Sequence, residues 1–298
     1  RLKQSTALRA SLSSSELRLL DEAQLAFGES GRLAYASMNN GRPVIGVDYS
    51  LFEYIYSFAH LLANFDSRGA DPYSYDRSRD FNNVIGLWLG SEFDRTWRGA
   101  RWFDLPTYRW FFGSWRAPDQ PTANARISSF LEYAARPVLL HELCHHFRGH
   151  TSSATQERHR YLLSVGNAVL ARSEAIAREL SADRCVAELY ERVDPNTDPR
   201  LAFAFAMTTP MLWSSTASAT HPGGGDRMRQ IALFGQKAVQ RQIANGSLSR
   251  AAATQLESDF RAWAEYVSRP DDLKSALLTQ RTGSLPRCPY KAPNKRCK

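Results

Sequence analysis

Apolar residues recur at helical spacing from Ser13 to Phe27, where Leu17, Leu20, Ala23 and Phe27 share one face. Ser13 to Ser15 offer a cap and Glu16 stands in the first turn, with Gly28 and Gly31 expected to end the helix. Pro43 to Tyr49 (PVIGVDY) is short, β-branched and apolar, and predicts a strand. Leu51 to Phe65 carries aromatics and leucines every three or four residues, the pattern of a largely buried helix. The Asp-, Arg-, Ser-, Tyr- and Gly-rich stretch that follows, to Asp80, reads as a loop. Two more strands are expected at Asn83–Leu89 and Tyr108–Trp115, before Pro118 to Pro121 break the chain.

Beyond that break the period is helical almost throughout. Ile127–Phe147 is expected to be helical, with Pro137 opening a new helix rather than lying inside one. Gln156–Tyr190 predicts two helices divided near Gly166. Gly223 to Gly225 predict a flexible turn before a helix over Asp226–Ile243, and a last helix covers Ala251–Val267, ended by Pro270. Leu201–Trp213 is the most apolar stretch, but at thirteen residues, with Thr208, Thr209 and Pro210 inside, it is short of the roughly 20 that a membrane span needs. It reads as a buried helix, or as a surface lying against a membrane. This order lacks regular strand–helix alternation and points to an α+β fold, predominantly helical with a small mixed sheet. The expected organisation is one unit over 1–298: a helical and strand part over 1–130, a helical core over 131–270 and a basic tail over 285–298.

A chain of 298 residues with 43% hydrophobic and 23% charged residues can bury a sizeable core, which excludes disorder throughout. The net charge of +8 changes the picture only locally: Arg287, Lys291, Lys295, Arg296 and Lys298 lie among prolines, with no acid nearby. Nucleic acid is a partner class that this balance permits, but no zinc-finger spacing, Cys-x-x-Cys pair or base-reading basic helix accompanies it. Four cysteines, Cys144, Cys185, Cys288 and Cys297, are too few for a disulfide scaffold. A reducing, cytoplasmic location is therefore expected, with Cys144 a packed thiol; a Cys288–Cys297 pair has nothing else to support it. No apolar signal core follows the N-terminus.

The chemistry is concentrated in His141-Glu142-Leu143-Cys144-His145. Residues four apart on a helix stand one turn apart on one side, so His141 and His145 can aim two imidazoles at a single ion. Glu142, at the edge of that face, can reach water beside the ion without ligating it. Ala134, Ala135, Val138, Leu139, Leu140 and Leu143 make the helix apolar, and polar groups inside it call for a partner or a metal. A catalytic zinc normally takes three protein ligands. The candidate third ligand is Glu179, with Asp183 one turn further along, placed to accept a hydrogen bond from a ligand imidazole. The alternative is a solvent-facing acidic pair. Ala175, Ala177 and Ala182 would let a second helix come close. His146 and His150 are expected to be surface groups or partners of the ligands, and His60 and His159 belong to no constellation.

These motifs, followed by Thr220-His221-Pro222 and Asp226-Arg227, resemble the gluzincin class of zinc peptidases, and within it the Ste24/HtpX-like group. The likeness covers Val138 to Phe234; Gly223–Gly225 stand where that group carries bulkier residues, and its membrane spans are missing. It implies a zincin-like metallopeptidase fold, zinc bound by His141, His145 and Glu179, Glu142 as the general base, and Asp183 supporting a ligand histidine. The His221–Arg227 region would border the site.

The expected activity is zinc-dependent endopeptidase cleavage of a protein or peptide substrate. His221, Arg227, Tyr161 and Tyr190 are candidate donors to the oxyanion, and Tyr108–Trp115 or Asn83–Leu89 candidate strands for an extended peptide to join. The rival is a non-enzymatic zinc-containing binding protein that contacts nucleic acid through its basic surface.

Overall fold

The computed structural model describes residues 2–28, 34–49, 120–193 and 221–268, together with Leu51 and Ile55. Apart from the start of the long helix at Gln120, these belong to one compact unit formed by Arg1–Ile55 and Leu131–Ser268. The described part is mostly helical with one three-stranded mixed sheet, an α+β arrangement.

Two short helices open the chain, α1 (Thr6–Ser11) and α2 (Ser14–Glu22). A capping box starts α2: Glu16 N–H donates to Ser13 Oγ at 3.3 Å, and Ser13 N–H donates to the Glu16 carboxylate at 2.9 Å. The helix stops at Glu22, and Gln24–Gly28 is strand β1, a correction to the helix expected as far as Phe27. Pairing decides this: β1 lies parallel to β3 (Arg42–Asp48), with Gln24 opposite Val44 and Gly28 opposite Asp48. Strand β2 (Ala34–Asn39) joins β3 antiparallel through Asn40-Gly41, both at positive φ (48° and 77°), as a two-residue hairpin of this kind requires. The order β1-β3-β2 makes β3 central, and it is buried from Pro43 to Asp48. Tyr35 lies across Gly46, where a Cβ would overlap its ring.

Helix α3 (Gln120–Phe147) carries the histidine motif. Pro137 lies inside it and is buried, so the expected break at that residue does not occur. The proline withholds one amide from the ladder, but the helix runs on through an apolar face in which Ala134, Val138, Leu140 and Leu143 are buried. Helices α4 (Ser153–Ser164) and α5 (Ala168–Val193) form a hairpin turned at Gly166 (φ +76°), as expected. Helix α6 (Gly224–Ala244) begins within the glycine run, with Gly223 as its N-cap, and α7 (Arg250–Ser268) follows.

Helix α5 is the hub. It packs against α1, α4 and α6, burying Ala175, Ala182, Val186, Ala187 and Leu189. Ala182 and Ala175 give the expected close approach, whereas Ala177 is exposed. Gln230 of α6 donates to the Leu180 carbonyl at 2.6 Å, and Arg192 donates to the Ser11 carbonyl at 2.9 Å. Between α3 and α5, Cys144 and Cys185 form a disulfide with Cα atoms 5.9 Å apart. The thiol expected at Cys144 is thus corrected.

The strands expected at Asn83–Leu89 and Tyr108–Trp115, the helices at Leu51–Phe65 and Leu201–Trp213, Thr220, the basic tail and the Cys288–Cys297 pair lie outside the described residues, save for Leu51 and Ile55. Among the described residues, no helix is long and apolar enough to cross a membrane.

Candidate metal centre

Three side chains from two helices meet. His141 and His145, one turn apart on α3, face Glu179 on α5, and their donor atoms lie within 4.8 Å of one another. His141 Nε2 is 3.1 Å from Glu179 Oε2 and 3.1 Å from His145 Nε2, and His145 Nε2 is 3.5 Å from Glu179 Oε1. Donors held about 2.0–2.1 Å from a tetrahedral ion stand about 3.3 Å apart, so these separations and this mixture of nitrogen and oxygen fit a divalent cation. The side chains are 8%, 12% and 13% exposed, inside the protein but reachable.

Each imidazole is held from behind. Asp183, wholly buried, brings Oδ1 to 2.8 Å from His141 Nδ1. A carboxylate only accepts, so that nitrogen carries the proton and Nε2 is left to face the cluster. His145 is held by His150, whose Nδ1 lies 3.1 Å from His145 Nδ1. The Asp183 charge is balanced by Arg227 of α6, which donates from Nε at 2.7 Å and from Nη2 at 2.5 Å. Burial alone would raise the Asp183 carboxyl, but the Arg227 guanidinium and the hydrogen bond from His141 together hold the group below its usual range.

The electrostatics without an ion show what the cavity favours. Burial opposes a charge on His141, yet hydrogen bonds to Asp183 and Glu179 push its pKa up to about 10. Burial opposes the charge on Glu179 too, and its bonds to His141 and His145 hold it well below the ordinary value. The site therefore gathers positive charge, by proton or by metal. Glu142, 4% exposed, is pushed up by burial against the pull of His141 and His145. His150 is driven down to about 4, first by burial and then by its electrostatic interaction with the neighbouring His145.

Comparisons with family models, with curated proteins and with solved structures found no match.

Of the residues expected at the site, His141, His145 and Glu179 come together, with Asp183 behind His141. The solvent-facing alternative for Glu179 and Asp183 does not hold. His221 has Nε2 3.9 Å from Glu179 Oε1 and a half-exposed side chain. Arg227 is buried, its guanidinium on Asp183. Tyr161 is exposed on α4 and Tyr190 is buried on α5.

Two contributors escaped the spacing argument. Cys144 directly precedes His145 and Cys185 lies two residues beyond Asp183, which put a cysteine on each of the two helices that carry the candidate ligands. His146 is buried, with Nδ1 2.9 Å from Thr151 Oγ1 and Nε2 3.1 Å from the Val44 carbonyl of the central strand. Its place on α3, off the ligand face, is where a tie to the sheet belongs.

Proposed function

We propose that this chain is a zinc-dependent endopeptidase with a zincin-like fold, resembling the Ste24/HtpX-like gluzincins in its motifs. The observation that carries this is the convergence of His141, His145 and Glu179 with a buried Glu142 beside them. The set offers three ligands; a structural zinc is typically closed by four, often including cysteines. Here the nearby cysteines bond to each other instead.

Zinc, when bound, supplies a Lewis acid that polarises the scissile carbonyl and acidifies water. Glu142 takes the proton of the attacking water on its carboxylate and hands it to the leaving amine nitrogen. Asp183 keeps the proton of His141 on Nδ1 throughout, and Arg227 acts through Asp183, neutralising its charge where water is absent. His221, beside Glu179 and half exposed, is the group best placed to meet the oxyanion of a bound peptide.

The disulfide argues about location. Bonds of this kind persist in oxidising compartments and are rare in a reducing cytosol, so an oxidising setting suits the chain better than the cytoplasm expected from its scattered cysteines.

Digestion of an unstructured protein such as casein tests the reading. Zinc-loaded wild type is expected to cleave it, and Glu142→Gln to lose about 10²–10⁴-fold in rate while keeping its zinc. Equal rates for the two proteins, or none for either, would overturn the peptidase reading.

A further inference from the structure

The motif helix ends in a way that bears on its own chemistry. His150 N–H donates to the His145 carbonyl at 2.9 Å, and Gly149 N–H donates to the His146 carbonyl at 3.0 Å. Gly149 has φ +69°. This pair of bonds around a left-handed glycine is a Schellman stop, in which the residue after the glycine is folded back onto the residue five earlier. That contact is usually apolar. In this chain it joins two imidazoles, with His145 and His150 ring centroids 5.1 Å apart and Nδ1 facing Nδ1 at 3.1 Å.

Two facing nitrogens need one proton between them. His145 directs Nε2 toward His141 and Glu179. For Nε2 to offer a lone pair there, the His145 proton must sit on Nδ1. His150 must then accept it with a bare Nδ1 and carry its own proton on Nε2. A histidine ligand usually donates its second N–H to a carboxylate or a carbonyl, as His141 does to Asp183. His145 has an imidazole in that role.

We infer that His150 is a positioning residue, delivered by the Schellman stop of α3, which accepts the hydrogen bond of His145 Nδ1–H and so fixes the ring and the tautomer that a metal needs. The inference rests on the metal-centre reading of the previous subsection. It also gives Gly149 a purpose. A Cβ there meets nothing within 4 Å, so the glycine serves the left-handed turn rather than any crowding. A residue that resists that turn would carry His150 away from His145.

The test uses the full chain labelled with ¹⁵N-histidine, together with His150→Asn and His150→Phe. Asparagine places Oδ1 where histidine has Nδ1 and can accept the same hydrogen bond; phenylalanine fills the space and cannot. In metal-free wild type in mildly alkaline buffer, long-range ¹H–¹⁵N correlation is expected to show His145 protonated on Nδ1. Zinc affinity, measured by competition with a chromophoric chelator, is expected to fall about 10–100-fold in His150→Phe and to return toward wild type in His150→Asn. A proton on His145 Nε2 in the wild type would overturn the inference. So would His150→Phe binding zinc like wild type, or both variants losing affinity equally. Failure of wild type to bind zinc would overturn the metal reading instead, and the tautomer of His145 in the same sample would still decide the role of His150.

Discussion

Asp183 Oδ1 lies 2.8 Å from His141 Nδ1, in a pocket where the Asp183 side chain is wholly buried. Arg227 is bonded to the same carboxylate and is itself only 4% exposed. The candidate ligand His141, a carboxylate and a guanidinium from α3, α5 and α6 therefore form one chain of contacts, and removing its middle link should disturb both folding and the proposed metal binding.

Asp183→Asn is expected to be the most damaging conservative change in the site. It removes the negative charge that the buried Arg227 guanidinium is bonded to, and breaking a buried pair from one side costs about 3–5 kcal/mol. It also frees His141 to turn or change tautomer, lowering zinc affinity by about 10–100-fold. Denaturant unfolding and chelator competition read the two effects separately. A variant as stable as wild type would show that Arg227 finds other support.

The disulfide joins the two helices that carry the candidate ligands, its cysteines 41 positions apart in sequence. Closing a loop of that length stabilises by about 4 kcal/mol through the unfolded chain. Cys144→Ser with Cys185→Ser is expected to lower the thermal midpoint and weaken zinc binding, because Cys144 adjoins His145 and Cys185 lies two residues beyond Asp183. Alkylation and mass spectrometry of the native chain, without reductant, should leave both cysteines unmodified. Full labelling of either would contradict the bond.

The capping box of α2 makes a prediction about acid. Burial would raise the Glu16 carboxyl, but hydrogen bonds from Ser13 and the charge of Arg192 lower it below its ordinary 4.5. A folded-state value below the unfolded one adds stability above pH 4.5 that is lost as pH falls through the depressed value. Glu16→Gln should thus unfold with a shallower loss of stability below pH 4.5 than wild type. Urea titrations at a series of pH values check it, and parallel curves for the two proteins would contradict it.

The candidate metal ligands were the most legible part of the chain. A four-residue spacing on a helix places His141 and His145 together whatever the rest of the fold does, and Glu179 with Asp183 repeats that geometry on a second helix. The α4–α5 turn at Gly166 and the capping box of α2 are likewise local chemistry. Non-local pairing was harder to read. Gln24–Gly28 continues a helical pattern in sequence and becomes a strand because β3 lies beside it. The Asn40-Gly41 hairpin was there to be found, since that dipeptide before a β-branched run is a strong turn signal, and it would have revealed β2. Arg227 on Asp183 and His146 on the Val44 carbonyl could not be foreseen, because they join segments 44 and 102 residues apart. The partnership of His150 with His145 was half visible: Gly149 marks the helix end, but only the backbone geometry shows that this end folds His150 back.

The central claim is that His141, His145 and Glu179 hold one metal ion. X-ray absorption at the zinc edge, on full-length protein loaded and then dialysed, tests it most directly. One zinc per chain is expected, with nitrogen and oxygen donors at about 2.0–2.1 Å, the scattering of two imidazoles, and loss of the ion in Glu179→Ala. Protein that retains no zinc, a sulfur shell at about 2.3 Å, or a Glu179→Ala spectrum identical to wild type would contradict the account.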